Sequence, residues 1–299
     1  MDIAIIGYKT HIGRELKKRL RAKGHIIREI DREHLIKLTP VQMGMWLSGC
    51  SVVLDVTTTP FIAKWTGKFQ YGLYADRMEL IKAIVASLKY CDPVPDMLLN
   101  LSNCMVYDKY EVHDDFSSQF DDGFFAEVGQ MELSETLKAH KYARSMRISL
   151  LRTGYVISED SPAFKVLRKS SHIGIGGIID NGYQCLPMIH EEDLMDIIEM
   201  LIDVPKAQGI FNVTIPNMAS MNELVDAIKK HQGSRQISLP RWLLNIIMGR
   251  AVAMLEQNCK VLPQRLVDMG YKFLYPDVES IMDKCFDDIK NKGKKRDKK

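Results

Sequence analysis

The sequence has few of the features that mark secreted, metal-binding or membrane-spanning proteins. Only six of its 299 residues are cysteine and no two form a Cys-x-x-Cys pair, which argues against a disulfide framework and a zinc site. The most apolar stretch, residues 242–255, is interrupted by Asn245 and Arg250 and is too short to span a bilayer. The first residues show no basic leader and no small-residue cleavage site. We therefore expect a cytoplasmic protein with no metal site and no membrane partner.

The chain also lacks a strong overall charge. Its formal net charge is +3, but residues 290–299 contain seven Lys or Arg and one Asp and alone carry +6, which leaves the body at −3. A mildly acidic body does not fit a nucleic-acid-binding fold, so no nucleic-acid partner is expected. We predict that residues 290–299 form a basic disordered tail, with weak attraction to RNA or an anionic membrane as the alternative.

What the chain does have is a regular alternation of strands and helices. Short apolar runs alternate with segments whose apolar residues recur at helical spacing. The predicted strands are 1–7, 25–31, 51–56, 97–101, 147–152 and 211–215, and the main predicted helices are 76–90, 126–145, 191–204 and 221–231. This order predicts an α/β protein, a Rossmann doubly wound parallel sheet with a smaller C-terminal substrate or helical region.

The predicted domain boundaries follow changes in composition. Glycines crowd the region after Gly154, and a compact helical unit with its own apolar positions begins near residue 240. We predict an NAD(P)-binding Rossmann domain over 1–239, with substrate-region segments embedded at about 155–190. A small C-terminal domain over 240–289 and the tail over 290–299 complete the chain.

The loop after the first strand has the position of a phosphate-binding loop. Gly7 and Gly13 have the spacing of the first and third glycines of Gly-x-x-Gly-x-x-Gly, but Thr10 replaces the middle one. A side chain there is expected to cost about 1–3 kcal/mol in crowding, or roughly ten- to hundredfold in affinity. The alternative is that the two glycines only allow tight strand–helix packing. The cofactor-binding residues predicted from this loop and the neighbouring strand ends are Gly7, Thr10, His11, Ile12, Gly13, Asp31, Arg32, Thr57 and Thr58.

Two adjacent residues at the end of the second strand bear on the choice of cofactor. Asp31 favours NAD through the ribose 2′-hydroxyl, whereas Arg32 favours the 2′-phosphate of NADP. The pair leaves the choice open, and a surface ion pair is the structural alternative. The predicted cofactor is therefore NADP or NAD, bound weakly.

The usual proton-transfer pair of short-chain dehydrogenases is absent. No tyrosine in the chain has a lysine four residues later, so no catalytic residue is assigned. Ser102 and Tyr107 lie at and just beyond the end of a strand, where such folds bind ligands. His190 precedes a helix that begins with three acidic residues, and a packed boundary residue is favoured there over a catalytic one. The predicted substrate pocket comprises Ser102, Tyr107, Gln184 and His190.

Taken together, these segments closely resemble a family of extended short-chain dehydrogenase/reductase proteins whose members are called epimerase-like and sometimes cell-division-inhibitor-like. The resemblance covers about residues 1–287 and ends in a short domain of unknown function. Its most specific segments are 152–156 (Arg-Thr-Gly-Tyr-Val), 174–184, 188–194, 211–217, 261–266 (Val-Leu-Pro-Gln-Arg-Leu) and 270–276.

The resemblance implies an NADP- or NAD-binding fold of nucleotide-sugar-epimerase ancestry with no settled substrate. Arg32 matches the family's arginine after the second strand, which favours NADP. The family's Trp-Glu pair on the catalytic helix is not complete here, since Glu132 and Glu135 have no tryptophan beside them.

Our leading hypothesis is an NAD(P)-binding epimerase/reductase-like protein that acts on an unknown small molecule as a monomer or homodimer. The alternatives are a non-catalytic nucleotide-binding or regulatory protein, and a scaffold that acts through its C-terminal region and basic tail.

Overall fold

A computed structural model describes residues 1–57, 66–172, 182–233 and 258–296 of the chain. Thr58, residues 174–181 of the glycine-rich region and residues 240–257 of the predicted C-terminal domain lie outside the described residues. The described strands are β1 (Asp2–Ile6), β2 (Ile26–Ile30), β3 (Val52–Asp55), β4 (Met97–Asn103), β5 (Val112–His113), β6 (Arg147–Thr153), β7 (Tyr155–Ile157), β8 (Met188–His190), β9 (Gly209–Val213) and β10 (Lys260–Val261).

The helices alternate with these strands. They are α1 (His11–Ala22), α2 (Arg32–Leu35), α3 (Pro40–Leu47), α4 (Gly67–Ser87), α5 (Phe124–Leu137), α6 (Pro162–His172), α7 (Glu191–Asp203), α8 (Met221–Gln232), α9 (Gln264–Asp268) and α10 (Val278–Arg296). No helix among the described residues is long and apolar enough to cross a bilayer.

Six strands form one parallel sheet in the order β2-β1-β3-β4-β6-β9, which confirms the predicted Rossmann fold. Since side chains alternate between the faces of a strand, β1 serves two cores. Ile3 and Ile5 pack with α1, α7 and α8, whereas Ala4 and Ile6 pack with α3 and α4. The chain turns to opposite sides of β1 to reach β2 and β3. The carboxyl ends of β1 and β3 therefore form the topological switch point where such sheets bind ligands.

Two helices differ from their predicted bounds. The helix predicted from residue 76 begins at Gly67, because Thr66 caps it by accepting a hydrogen bond from the Phe69 amide at 3.2 Å. The helix predicted to reach residue 145 ends at Leu137 and continues as a 3₁₀ turn. This change of direction brings Ala139 and Ala143 into the core beside α3 and α4.

The C-terminal segment is anchored to the first turn of α7 by one carboxylate. Fully buried Asp193 accepts hydrogen bonds from the Tyr271 hydroxyl at 2.8 Å and from the amides of Leu274 and Tyr275 at 2.8 and 3.0 Å. From there the chain enters α10, which packs its apolar face against the core beside α8.

The basic end of the chain is helical over residues 290–296, where the sequence predicted disorder. Helix α10 continues to Arg296, and Lys292 forms ion pairs with Glu159, at 2.8 Å, and with Asp160. The positive charges of this segment are thus partly paired with acidic residues before α6, a contact that composition does not reveal.

Candidate functional site

The loop between β1 and α1 has the tight geometry that its glycines predicted. Gly7 adopts a φ of +84°, which favours glycine, and a Cβ there would lie 2.8 Å from the Thr57 methyl group. A Cβ on Gly13 would lie 2.3 Å from the Gly7 carbonyl oxygen. Both glycines are therefore required for the close approach of β1 and α1 to each other and to the end of β3.

Thr10 caps helix α1. Its hydroxyl accepts a hydrogen bond from the Gly13 amide at 3.0 Å and donates one to the Val56 carbonyl at 3.3 Å. The cap uses the Gly13 amide, which leaves the amides of His11 and Ile12 as first-turn donors that no carbonyl of the helix accepts. The Ile12 side chain lies in the core, so only its backbone is available to a ligand.

The His11 side chain connects the loop to the start of α7. Its Nε2 atom lies 2.8 Å from a carboxylate oxygen of Glu191 and 3.2 Å from the Ser158 hydroxyl. The loop therefore contacts the same helical turn that anchors the C-terminal segment.

Charged side chains meet at the end of β2. Lys9 forms an ion pair with Asp31, which raises the pKa of the lysine. Arg32 binds Asp76 of α4 through one terminal nitrogen at 2.7 Å, and its Nε atom is buried without a hydrogen-bond partner among the described residues. Lys9 thus neutralises the Asp31 carboxylate. The guanidinium of the adjacent Arg32 is paired with Asp76 through only one of its terminal nitrogens.

A buried cluster of charged residues lies where β3 and β4 end. Arg77 of α4 donates to Asp55 at 3.0 Å and to Glu132 of α5 at 2.7 Å, and it also binds the Thr57 hydroxyl. Ser102 of β4 donates its hydroxyl to the second oxygen of Glu132. We call Asp55, Arg77, Ser102 and Glu132 the acid–arginine cluster. Burial opposes the charge of Arg77, but the carboxylates of Asp55 and Glu132 outweigh it and raise the arginine's pKa.

The sequence predicted only part of this cluster. Thr57, predicted to bind cofactor, holds Asp55 through its hydroxyl at 2.6 Å. Ser102 was predicted as a pocket residue, whereas Asp55 and Arg77 were not singled out for chemistry. The signal that could have found Asp55 is a carboxylate inside an otherwise apolar strand, since a buried charge needs a partner elsewhere in the chain.

Tyr107 is not brought together with Ser102. Its buried hydroxyl accepts a hydrogen bond from Arg152 at 2.7 Å and lies 2.9 Å from Asn212 Oδ1, to which it donates. Its ring stacks on His113 with centroids 4.9 Å apart. This environment gives Tyr107 a packing role between β6, β9 and the loop that follows β4.

The two remaining predicted pocket residues lie on the other side of the sheet. His190 caps α7 by accepting from the Glu192 amide at 3.2 Å, and its ring packs against Tyr275. Burial lowers the pKa of His190 and favours a neutral ring. Gln184 is half-buried and accepts from the Met221 amide through its carbonyl at 3.0 Å. Over the described ranges, no group of His, Cys, Asp and Glu has the arrangement of a metal site.

Comparisons with known proteins extend this description. A family model described as a domain of unknown function, DUF1731, matches residues 239–284. The chain is 25% identical over 306 residues to the Arabidopsis thaliana protein named epimerase family protein SDR39U1 homolog, chloroplastic, which covers 94% of this chain and 86% of that protein. It is 23% identical to human epimerase family protein SDR39U1, over 93% of this chain and 97% of that protein.

Solved structures share the fold. The human epimerase family protein SDR39U1 (isoform 2), whose structure contains NADPH, superposes with a TM-score of 0.85 at 21% identity and covers 96% of this chain and 99% of its own. A dTDP-4-dehydrorhamnose reductase from Clostridium acetobutylicum superposes with a TM-score of 0.75 at 15% identity, over 97% and 100% of the two chains. Residues 239–284 thus match the DUF1731 model, and over nearly its whole length the chain is similar to proteins named epimerase family protein SDR39U1.

Proposed function

We propose that this protein binds NADP(H) at the carboxyl ends of β1, β2 and β3 and acts as an epimerase- or reductase-like protein on a small molecule. The observation that carries the proposal is the charge arrangement at the end of β2. Lys9 neutralises Asp31, so the carboxylate that would repel a 2′-phosphate is already paired. Arg32, which is partly exposed and pairs with Asp76 through one terminal nitrogen, then supplies a positive charge beside it.

The residues of the loop fit the rest of a dinucleotide. The amides of His11 and Ile12 at the start of α1 would bind the pyrophosphate, supported by the positive end of the helix dipole. The NADPH in the human relative's structure and the NAD in those of other neighbours support the same assignment. When bound, such a cofactor supplies or accepts a hydride.

The chemistry proposed here is limited by the missing Tyr-x-x-x-Lys pair. Proton transfer by a positioned side chain typically contributes about 10²–10⁴ in rate. We therefore propose slow turnover of simple alcohols and nucleotide sugars, and faster turnover of carbonyl compounds that need little acid assistance. The domain boundaries, the cytoplasmic location and the state of monomer or homodimer stay predictions from the sequence.

Fluorescence titration of the purified protein with NADPH and NADH tests the cofactor proposal. Wild-type protein is expected to bind NADPH more tightly, and Arg32→Ala is expected to lose the preference because the donor beside the 2′-phosphate is gone. Arg21→Ala is the matched control, since Arg21 is an exposed arginine near the opposite end of α1 that pairs with Glu29. Failure of the wild-type protein to bind either nucleotide at millimolar concentration would refute the proposal.

A further inference from the structure

We infer that Ser102 and Glu132 form the proton-transfer pair of this protein, in the role that a tyrosine and a lysine fill in other short-chain dehydrogenases. The inference rests on the proposed function, because it concerns the substrate beside the bound nucleotide. Its geometric basis is the hydrogen bond in which the Ser102 hydroxyl donates to Glu132. Ser102 is half-buried at the end of β4, whereas Glu132 is buried behind it.

The pair lies beside the nucleotide loop. Ser102 follows the part of β4 that pairs with β3, and Asp55 ends β3. Thr57 contacts Arg77 and Asp55 through its hydroxyl, and its methyl group lies against Gly7 of the loop. The acid–arginine cluster is therefore continuous, through Thr57, with the switch point at which a doubly wound sheet binds its ligand.

Arg77 fixes the orientation of the Glu132 carboxylate. Its Nε atom holds Oε1 at 2.7 Å, which leaves Oε2 for the hydroxyl of Ser102. The same guanidinium holds Asp55 at 3.0 Å, so two carboxylates share one cation. A proton can thus reach Glu132 along one defined route, from a ligand oxygen through the Ser102 hydroxyl to Oε2.

The chemistry of this route is balanced in both directions. In the oxidation of an alcohol, the substrate O–H bond breaks and its proton passes to the Ser102 oxygen, while the Ser102 proton passes to Glu132. The substrate C–H bond breaks, its hydrogen and electron pair would pass as a hydride to an oxidised nicotinamide, and a C=O bond forms. In the reduction of a carbonyl, a reduced nicotinamide would supply the hydride to the carbonyl carbon, Ser102 protonates the substrate oxygen, and Glu132 returns its proton to Ser102. The substrate class is therefore an alcohol or its carbonyl compound.

The link between β4 and α5 does not by itself require a carboxylate. Asn100 lies two residues before Ser102 on β4, and Thr136 lies one turn after Glu132 on α5. Asn100 donates to the Thr136 hydroxyl at 2.8 Å, and both side chains are buried. This neighbouring pair joins the same strand to the same helix without a titratable group. Thr136→Val is therefore the matched control for substitutions of Glu132.

The test combines an infrared titration with kinetics for wild type, Glu132→Gln, Ser102→Ala and Thr136→Val. In protein free of cofactor, the pH dependence of the carboxyl bands is recorded, and the component lost in Glu132→Gln is the titration of Glu132. Turnover with NADPH is then followed with 9,10-phenanthrenequinone, a 2-ketoaldehyde and a nucleotide 4-ketosugar across pH. NADPH binding is measured separately for every variant.

We expect the pH dependence of wild-type kcat/KM, which reports ionisations of the free enzyme, to follow the infrared titration of Glu132. With the nucleotide 4-ketosugar, Glu132→Gln and Ser102→Ala are expected to lose about 10²–10⁴ in kcat and the pH dependence, with NADPH affinity retained, and the loss is expected to be smaller with the quinone, which needs less acid assistance. Thr136→Val should keep both kcat and pH profile. Undiminished kcat in Glu132→Gln, two pH curves that do not coincide, or no wild-type turnover with any of the three carbonyl compounds would overturn the inference. Loss of NADPH binding by the wild type would instead refute the proposed function.

Discussion

At the scale of the residue, Thr10 shows how one side chain can have a role that the loop pattern does not predict. The pattern treats Thr10 as a misplaced side chain where a phosphate approaches. In the structure its hydroxyl caps α1 and joins the loop to the Val56 carbonyl after β3. The expectation that Thr10→Gly strengthens NADPH binding roughly ten- to hundredfold stays a prediction.

The cap itself can be tested through stability. Thr10→Ala removes the acceptor of the Gly13 amide and is expected to lower the free energy of unfolding by about 1 kcal/mol, whereas Thr10→Ser keeps the hydroxyl and most of the stability. Urea denaturation of the two variants beside the wild type measures the difference. Equal losses in both variants would show that the methyl group, and not the hydroxyl, matters.

Tyr107 gives a second prediction at this scale. Tyr107→Phe removes the hydrogen-bond acceptor of the buried Arg152 guanidinium, whose Nε and Nη2 atoms already have no partner among the described residues. We expect unfolding free energy to fall by about 1–3 kcal/mol while NADPH affinity is unchanged. Tyr110→Phe, at an exposed tyrosine nearby, is the control. A variant of full stability that loses turnover would instead support the predicted place of Tyr107 in the substrate pocket.

At the scale of the element, the sequence predicted strands better than helix ends. Apolar runs such as the one in β1 locate a buried parallel strand because both of its faces enter a core. The ends of α4 and α5 depend on a capping threonine and on a turn that buries two alanines, and neither leaves a periodic signal. The choice between Glu132 and Glu135 also depends on packing, since Glu132 reaches Arg77 while Glu135 pairs with Lys138 at the surface.

The first turn of α7 predicts a pH dependence of stability. Burial lowers the pKa of His190 below its usual 6.5, opposed by Glu191, Glu192 and Asp193 and supported by Lys284. As the pH falls through about 6.5, the unfolded chain therefore binds more protons at this site than the folded protein does. The free energy of unfolding decreases over the same pH range.

His190→Asn tests this because asparagine keeps an acceptor at the helix cap and does not titrate. Its unfolding free energy, measured in urea at pH 5, 6 and 7, is expected to fall less steeply toward acid than that of the wild type. A variant that is weaker by the same amount at every pH would show that the histidine contributes only packing against Tyr275.

At the scale of the whole molecule, strand and helix order was enough to predict the doubly wound sheet, but not the contacts between distant segments. His11 and Glu191 are 180 residues apart in sequence, and Asp193 reaches residues about 80 positions later. Such contacts depend on the finished packing. The helix over residues 290–296 also depends on such packing, because Lys292 pairs with acidic residues before α6, which composition does not reveal.

The Asp193 anchor predicts how the C-terminal segment is held. Asp193→Asn removes the charge that binds the amides of Leu274 and Tyr275 and is expected to speed hydrogen exchange across residues 271–290. Exchange in the central strands β1 and β4 should not change. Asp203→Asn at the exposed end of α7 is the control. Unaltered exchange after residue 270 would mean that the packing of α10 alone fixes the segment.

The shared use of Arg77 also restricts how this sequence can diverge. Loss of the arginine alone would leave two buried carboxylates without their cation. The free energy of unfolding would fall by about 3–5 kcal/mol, which is a large part of the stability of an ordinary domain. Loss of one carboxylate leaves the arginine with the other, so the order of substitutions matters. Descendants of this protein are therefore expected to keep positions 55, 77 and 132 as a unit, or to replace both acids before the arginine.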